Sequence, residues 1–148
     1  MLTITIDDAA FRNDLAALYR RLGDLTPVMN EIGMELENRV RARFETRTDP
    51  SGRAWAPWSQ STIDSYPDDG NRKLLDRYGA MVRDVNHQAD KTSVRIGFGQ
   101  PYATYHEFGT KHMLRRGLLF ADPNAGTLAK GDEDAVLDIL SVWLARPD

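Results

Sequence analysis

"TPVMNEIGMELENRVRARF", residues 26–44, is the stretch from which the fold is read. Met29, Ile32, Leu36, Val40 and Phe44 recur at three- and four-residue intervals, so they share one face of a helix. Thr26 followed by Pro27 has the pattern of an N-cap with proline at the first helical position. Glu35 with Arg39, and Glu37 with Arg41, are i,i+4 pairs in the favourable order. The arginines of "RVRAR" therefore have acidic partners on their own helix. They read as a solvated face, with a phosphate-binding patch as the alternative.

Upstream, "LTITI" alternates and is β-branched, which predicts a short first strand. From Asp7 the period changes, and Phe11, Leu15, Leu18 and Leu22 predict a helix that Gly23 ends. Downstream, residues 45–73 hold three of the seven prolines, two glycines and many Ser, Thr and Asp residues, which are loop signals. The same stretch carries Trp55, Trp58 and Tyr66. A loop of this length in a compact domain is usually functional or disordered. The tryptophans either pin it to its own core or anchor a partner, since Trp is enriched where interfaces bind hardest. The expectation taken forward is a loop arm at about 46–72, mobile in the free subunit, with both tryptophans on a neighbour.

"KLLDRYGAM" predicts a helical turn leading into a strand. "MVRDVNHQ" and "TSVRIGFG", joined by "ADK", predict a β-hairpin. "YATYHEF" fits one helical turn or a bent strand, "GTKHMLRRG" a loop, and "LLF" a short apolar strand. The terminal "EDAVLDILSVWLAR" predicts a helix. Asp132, Glu133 and Asp134 stand at its start, where negative charge suits the helix dipole. Its apolar face is too broad for a narrow stripe, which implies burial on more than one side, part of it against another subunit. The whole predicts one α+β domain over 1–148: a small antiparallel sheet packed with two N-terminal helices and a C-terminal helix.

The chain has 148 residues, no cysteine and a net charge of -3. Lack of cysteine excludes disulfides, thiolate metal sites and a cysteine nucleophile. No run of 18 apolar residues spans a membrane, and "MLTITIDDAAF" lacks the basic start of a signal peptide. A mildly acidic chain does not have the charge balance of a free nucleic-acid binder.

"PYATYHEFGTKH", residues 101–112, poses the chemical question. A zincin helix places two histidines four apart on one face. His106 and His112 are six apart, about 240° out of phase on a helix. No serine sits in a G-x-S-x-G elbow, and "GFGQPYATY" lacks the lysine and spacing of a phosphate-binding loop. The reading is no catalytic residue, no metal and no cofactor, with His106 hydrogen-bonded near a turn at Gly109. Two alternatives stay open: a nucleic-acid-binding module using Arg39, Arg41, Arg43, Arg115 and Arg116, and a small hydrolase using His106.

Taken in order, "DPSGRAWAPWSQSTID", "LLDRYGAM", "VRIGF", "YATYHEFGT" and "RRGLLFAD", with an acidic start to a terminal helix, resemble the phage virion morphogenesis family over about residues 26–146. Its members include tail completion proteins and Mu-like prophage G proteins. A family segment P-x-G-x-x-W-x-P-L is matched by Pro50, Gly52, Trp55 and Pro57, with Trp58 in place of the usual Leu and Thr62 shortly after. L-x-x-[TS]-G-x-L is matched by Leu75, Gly79 and Met81, with Tyr78 where a small hydroxyl residue is usual. Y-A-x-x-H-x-x-G is matched by Tyr102, Ala103, His106 and Gly109, and the basic residue that follows by Arg115 or Arg116, with Leu118 to Phe120 after it. The loop "ADPNAGTLAKGDED" is longer than in the family. The resemblance implies a structural protein without a cofactor: a tail completion or head–tail connector subunit in a homo-oligomeric ring, with six subunits as the candidate number. Its implied partners are its own copies and other tail or neck proteins, not nucleic acid or membrane. Its implied location is the host cytoplasm during assembly and then the virion.

Overall fold

The computed structural model describes residues 9–146; side-chain surroundings are described for residue 13 and from residue 16 onward. The elements in order are α1 (Ala9–Gly23), α2 (Thr26–Thr46), α3 (Gln60–Ser65), α4 (Ala80–Arg83), β1 (Val85–Ala89), β2 (Val94–Phe98), α5 (Ala103–Phe108) and α6 (Lys130–Ala145). The architecture is α+β, with helices around one two-stranded antiparallel sheet. The expected "LTITI" strand and the side chains of Phe11 and Leu15 lie outside the described residues.

The long helix α2 organises the rest. Its apolar stripe is buried at Val28, Ile32, Leu36, Val40 and Phe44. The stripe serves two clusters. Val28, Ile32 and Leu36 meet Trp143 of α6, with Val136, Ile139 and Leu140 packed alongside. Val40 and Phe44 meet Trp55, Met81, Val85, Ala103 and Leu118. Thr26 is not the cap: it is already helical, and its amide donates to Asp24 Oδ1 at 3.0 Å. Hydrogen bonding from the Thr26 side chain first, and from its amide second, holds the Asp24 carboxyl below its ordinary range.

The hairpin pairs Val85 with Phe98 through Ala89 with Val94. Asp90 closes its turn, accepting the Thr92 and Ser93 amides, each at 2.8 Å. The first strand starts later than the sequence suggests. Met81 to Arg83 belong to a helical turn, because Met81 inserts into the core there, and the extended backbone begins at Val85. Against α2 the sheet comes close at Gly33: a Cβ there would stand 2.3 Å from the His87 ring. His87 also bonds Glu37 through Nδ1 and Asn30 Oδ1 through Nε2, the latter at 2.8 Å.

Three further expectations are corrected. Arg43 is not solvated. It is 7% exposed, donates to Leu118 O at 2.6 Å and pairs with Asp132. Asp132 therefore does more than complement a dipole: at 1% exposed it binds Arg43 and, at 2.7 Å, Arg39. The anticipated pairs Glu35–Arg39 and Glu37–Arg41 both form, at 3.8 and 2.8 Å. "LLF" is a bend rather than a strand, since the amides of Leu118, Leu119 and Phe120 donate to the Glu107 carboxylate instead of to another strand. The broad apolar face of α6 divides: Trp143 is buried on α2, while Leu137, Val142 and Leu144 are exposed. α1 is tied to α6 through Arg21, which donates to the Trp143 and Arg146 carbonyls.

Candidate docking groove

The 101–112 stretch resolves as the short helix α5, ended by Gly109. Gly109 has φ 73°, and a Cβ there would lie 3.0 Å from the Arg115 amide nitrogen. Both the backbone angle and the contact require glycine. The chain thus turns back sharply, and residues 115–120 fold over α5.

Glu107 holds that return. It is buried, and its carboxylate accepts from the amides of Leu118 (2.6 Å), Leu119 (3.0 Å) and Phe120 (2.9 Å). Arg115 closes the same knot, donating to Glu107 O and Phe120 O, with its guanidinium 3.5 Å from the carboxylate. Charge-assisted bonds of this kind are stronger than neutral ones. Sequence reasoning passed over Glu107. The signal was a carboxylate in the last turn of a helix, where the dipole disfavours it unless other amides bind it.

Arg116 faces the other way. It donates to Ala56 O at 2.8 Å and Pro57 O at 3.2 Å, which pins the aromatic loop beside α5. Burial lowers its basicity, though a guanidinium stays charged. Trp55 lies beneath. It is 5% exposed, packs edge-on against Phe44 at 5.6 Å and donates from Nε1 to Gly117 O at 2.9 Å. A side chain so enclosed by its own chain is core, and its expected role as a partner anchor is corrected. Trp58 is half-buried and stacks on Tyr66 at 4.5 Å.

Between the loop and α5 runs an open groove of about 860 Å³. Its walls include Pro57, Trp58, Tyr78, Tyr102, His106 and Arg116 of the motif positions, and Lys73, His112, Met113 and Leu114, which the family motifs did not mark. Tyr78, Tyr102, Met113 and Leu114 expose large apolar surface there. Trp55 and Arg115 are not among its walls, and Gly79 is the N-cap of α4. Pro50 and Gly52 sit apart, in a turn closed by Asp49, which accepts the Ser51 and Arg53 amides at 2.9 Å.

His106 meets Tyr102 edge-on. Burial first, and the Arg116 charge second, hold its imidazole below the ordinary range, so it is neutral at pH 7. Its Nδ1 is buried and has no hydrogen-bond partner. The expected hydrogen bond near the turn is thus not made through Nδ1. His106 and His112 line the same groove, yet among the described residues no group of three or more potential metal ligands forms. The five arginines named as a nucleic-acid surface do not make a free cationic patch. Arg39, Arg41, Arg43 and Arg115 each have a carboxylate partner, and Arg116 is held by the Ala56 and Pro57 carbonyls.

A model of the phage virion morphogenesis family matches residues 6–144. The chain belongs to that family. It is a phage virion assembly protein, and the residues lining the groove fall within the matched span. Neither curated proteins nor solved structures give a match. No described helix of this virion morphogenesis chain is long and apolar enough to cross a membrane.

Proposed function

We propose that the chain acts as a structural, non-catalytic subunit at the tail or head–tail junction, completing the virion through a homo-oligomeric ring. The observation that carries this reading is the groove. Its motif residues either brace the loop, as Arg116 and Trp55 do, or offer aromatic surface, as Trp58 and Tyr102 do. Exposed aromatic and Met side chains around a concavity are what protein interfaces select. Family membership supports the assembly role. Other tail or neck proteins are the partners that this reading adds to its own copies.

The test is genetic and structural. Disrupting the gene in an inducible prophage leaves heads and tails unjoined or tails incomplete under the electron microscope, and the protein is found in purified wild-type virions. Normal infectious particles without it would sink the reading.

A further inference from the structure

Two surfaces of the described molecule are complementary in shape and charge. The groove presents Lys73, Arg77 and Arg116 against one carboxylate, Asp76. Arg77 is engaged by Asp69, but among the described residues neither Lys73 nor Arg116 has a carboxylate partner. The groove thus holds positive charge within an apolar lining that includes Trp58, Met113 and Leu114. The outer face of α6 has the opposite make-up. Leu137 is 51% exposed and Leu144 46% exposed, seven residues or about 10.5 Å apart along one side of the helix. Glu133, Asp134 and Asp138 flank them and are exposed, and Lys130 pairs with Asp134.

We propose that the outer face of α6 docks into the Trp58–Tyr102–His106 groove of a second copy of this chain. Leu137 and Leu144 enter the apolar lining, and the α6 carboxylates meet Lys73 and Arg116. The two surfaces are different patches of one molecule, so the contact is head-to-tail, the kind that generates a ring when its rotation closes and an open filament when it does not. The inference rests on the ring proposed above and names its two faces.

The test uses substitutions at exposed positions, which leave the fold intact. Helix-side protein carries Leu137→Asp with Asp138→Lys. Groove-side protein carries Lys73→Glu with Leu114→Glu; Leu114 is 69% exposed. Mass is measured by sedimentation and light scattering of the full chain, with thermal melting as the fold control. The wild type forms a closed oligomer, and each variant alone is weakened at least tenfold and runs as monomer. Mixed one to one, the variants recover a dimer and nothing larger, because only one productive pairing of faces survives. Assembly undisturbed by the helix-side changes overturns this contact while leaving the ring standing. A groove-side defect confined to virion incorporation, with the oligomer intact, assigns the groove to another virion protein and also overturns it. A wild type that is monomeric in solution and absent from rings in the particle overturns the ring reading as well.

Discussion

Trp55 and Trp58 are three residues apart and do different things. Trp55 fills the core and ties the loop to Gly117 through its indole nitrogen. Trp55→Ala should destabilise the protein by about 3–5 kcal/mol, as large-to-small changes of buried aromatics do. Trp58→Ala removes a stacking partner of Tyr66 at a half-buried site and should cost no more than about 1.5 kcal/mol. Denaturant unfolding of the two variants side by side checks this, and equal losses would contradict the division of labour. Glu107→Gln puts an amide where a carboxylate accepts three backbone N–H groups. It should lose about 1–3 kcal/mol, since buried donors are left unsatisfied. His106 gives a pH signature. Its folded imidazole is less basic than the unfolded one, so the unfolded chain takes up a proton first as pH falls. Stability should therefore drop as pH falls below about 6.5, the ordinary imidazole value. Melting temperatures from pH 8 to 5 should show a smaller fall for His106→Gln than for wild type, and parallel curves would refute the assignment.

At the scale of elements, α2 was legible because its apolar spacing continues over the whole helix. Even there, the arginines misled. Arg39, Arg41 and Arg43 look alike in sequence, but Arg43 lies on the buried side of the helix, where Asp132 from α6 meets it. Local i,i+4 pairing was visible; a partner 89 residues away was not. The "LLF" segment had the composition of a strand, and a single carboxylate took its amides instead. The groove was half legible. His106, Tyr102, Trp58 and Arg116 came from one-dimensional motifs, whereas Lys73 and Leu114 join them only through the turn at Gly109 and the docking of the loop by Arg116. Removing one member of the α2–α6 pair leaves a buried charge alone, so Asp132→Ala should cost about 3–5 kcal/mol. Chemical denaturation reads that loss directly, and a change below 1 kcal/mol, roughly a surface effect, would count against the buried pair.

For the whole molecule, the loop divides into a docked and an open part. Residues 47–58 are fixed by the Thr48–Ala54 bridge, Trp55 and Arg116, whereas α3 buries none of its side chains. The expected mobile arm at 46–72 becomes a narrower prediction. Limited proteolysis of the protein should cut first within 59–73 and spare 47–58, as read by mass spectrometry of the fragments. First cuts at Arg47 or Arg53 would show that the docked part opens as readily as the rest.

The reach from Arg43 to Asp132 also sets a schedule for synthesis. On a ribosome adding about 5–20 residues per second, the 89 residues between them take roughly 4–18 s to follow. During that interval the cation has no counter-ion from α6, and the Ile32–Leu36 stripe has no Trp143 to cover it. A nascent chain held at that stage displays a bare apolar helix side to chaperones, and it gains its finished outer surface only when α6 arrives. On the α6 docking proposed above, copies whose α6 is still unmade lack the helix that docks, so translation itself would keep incomplete chains out of assembly.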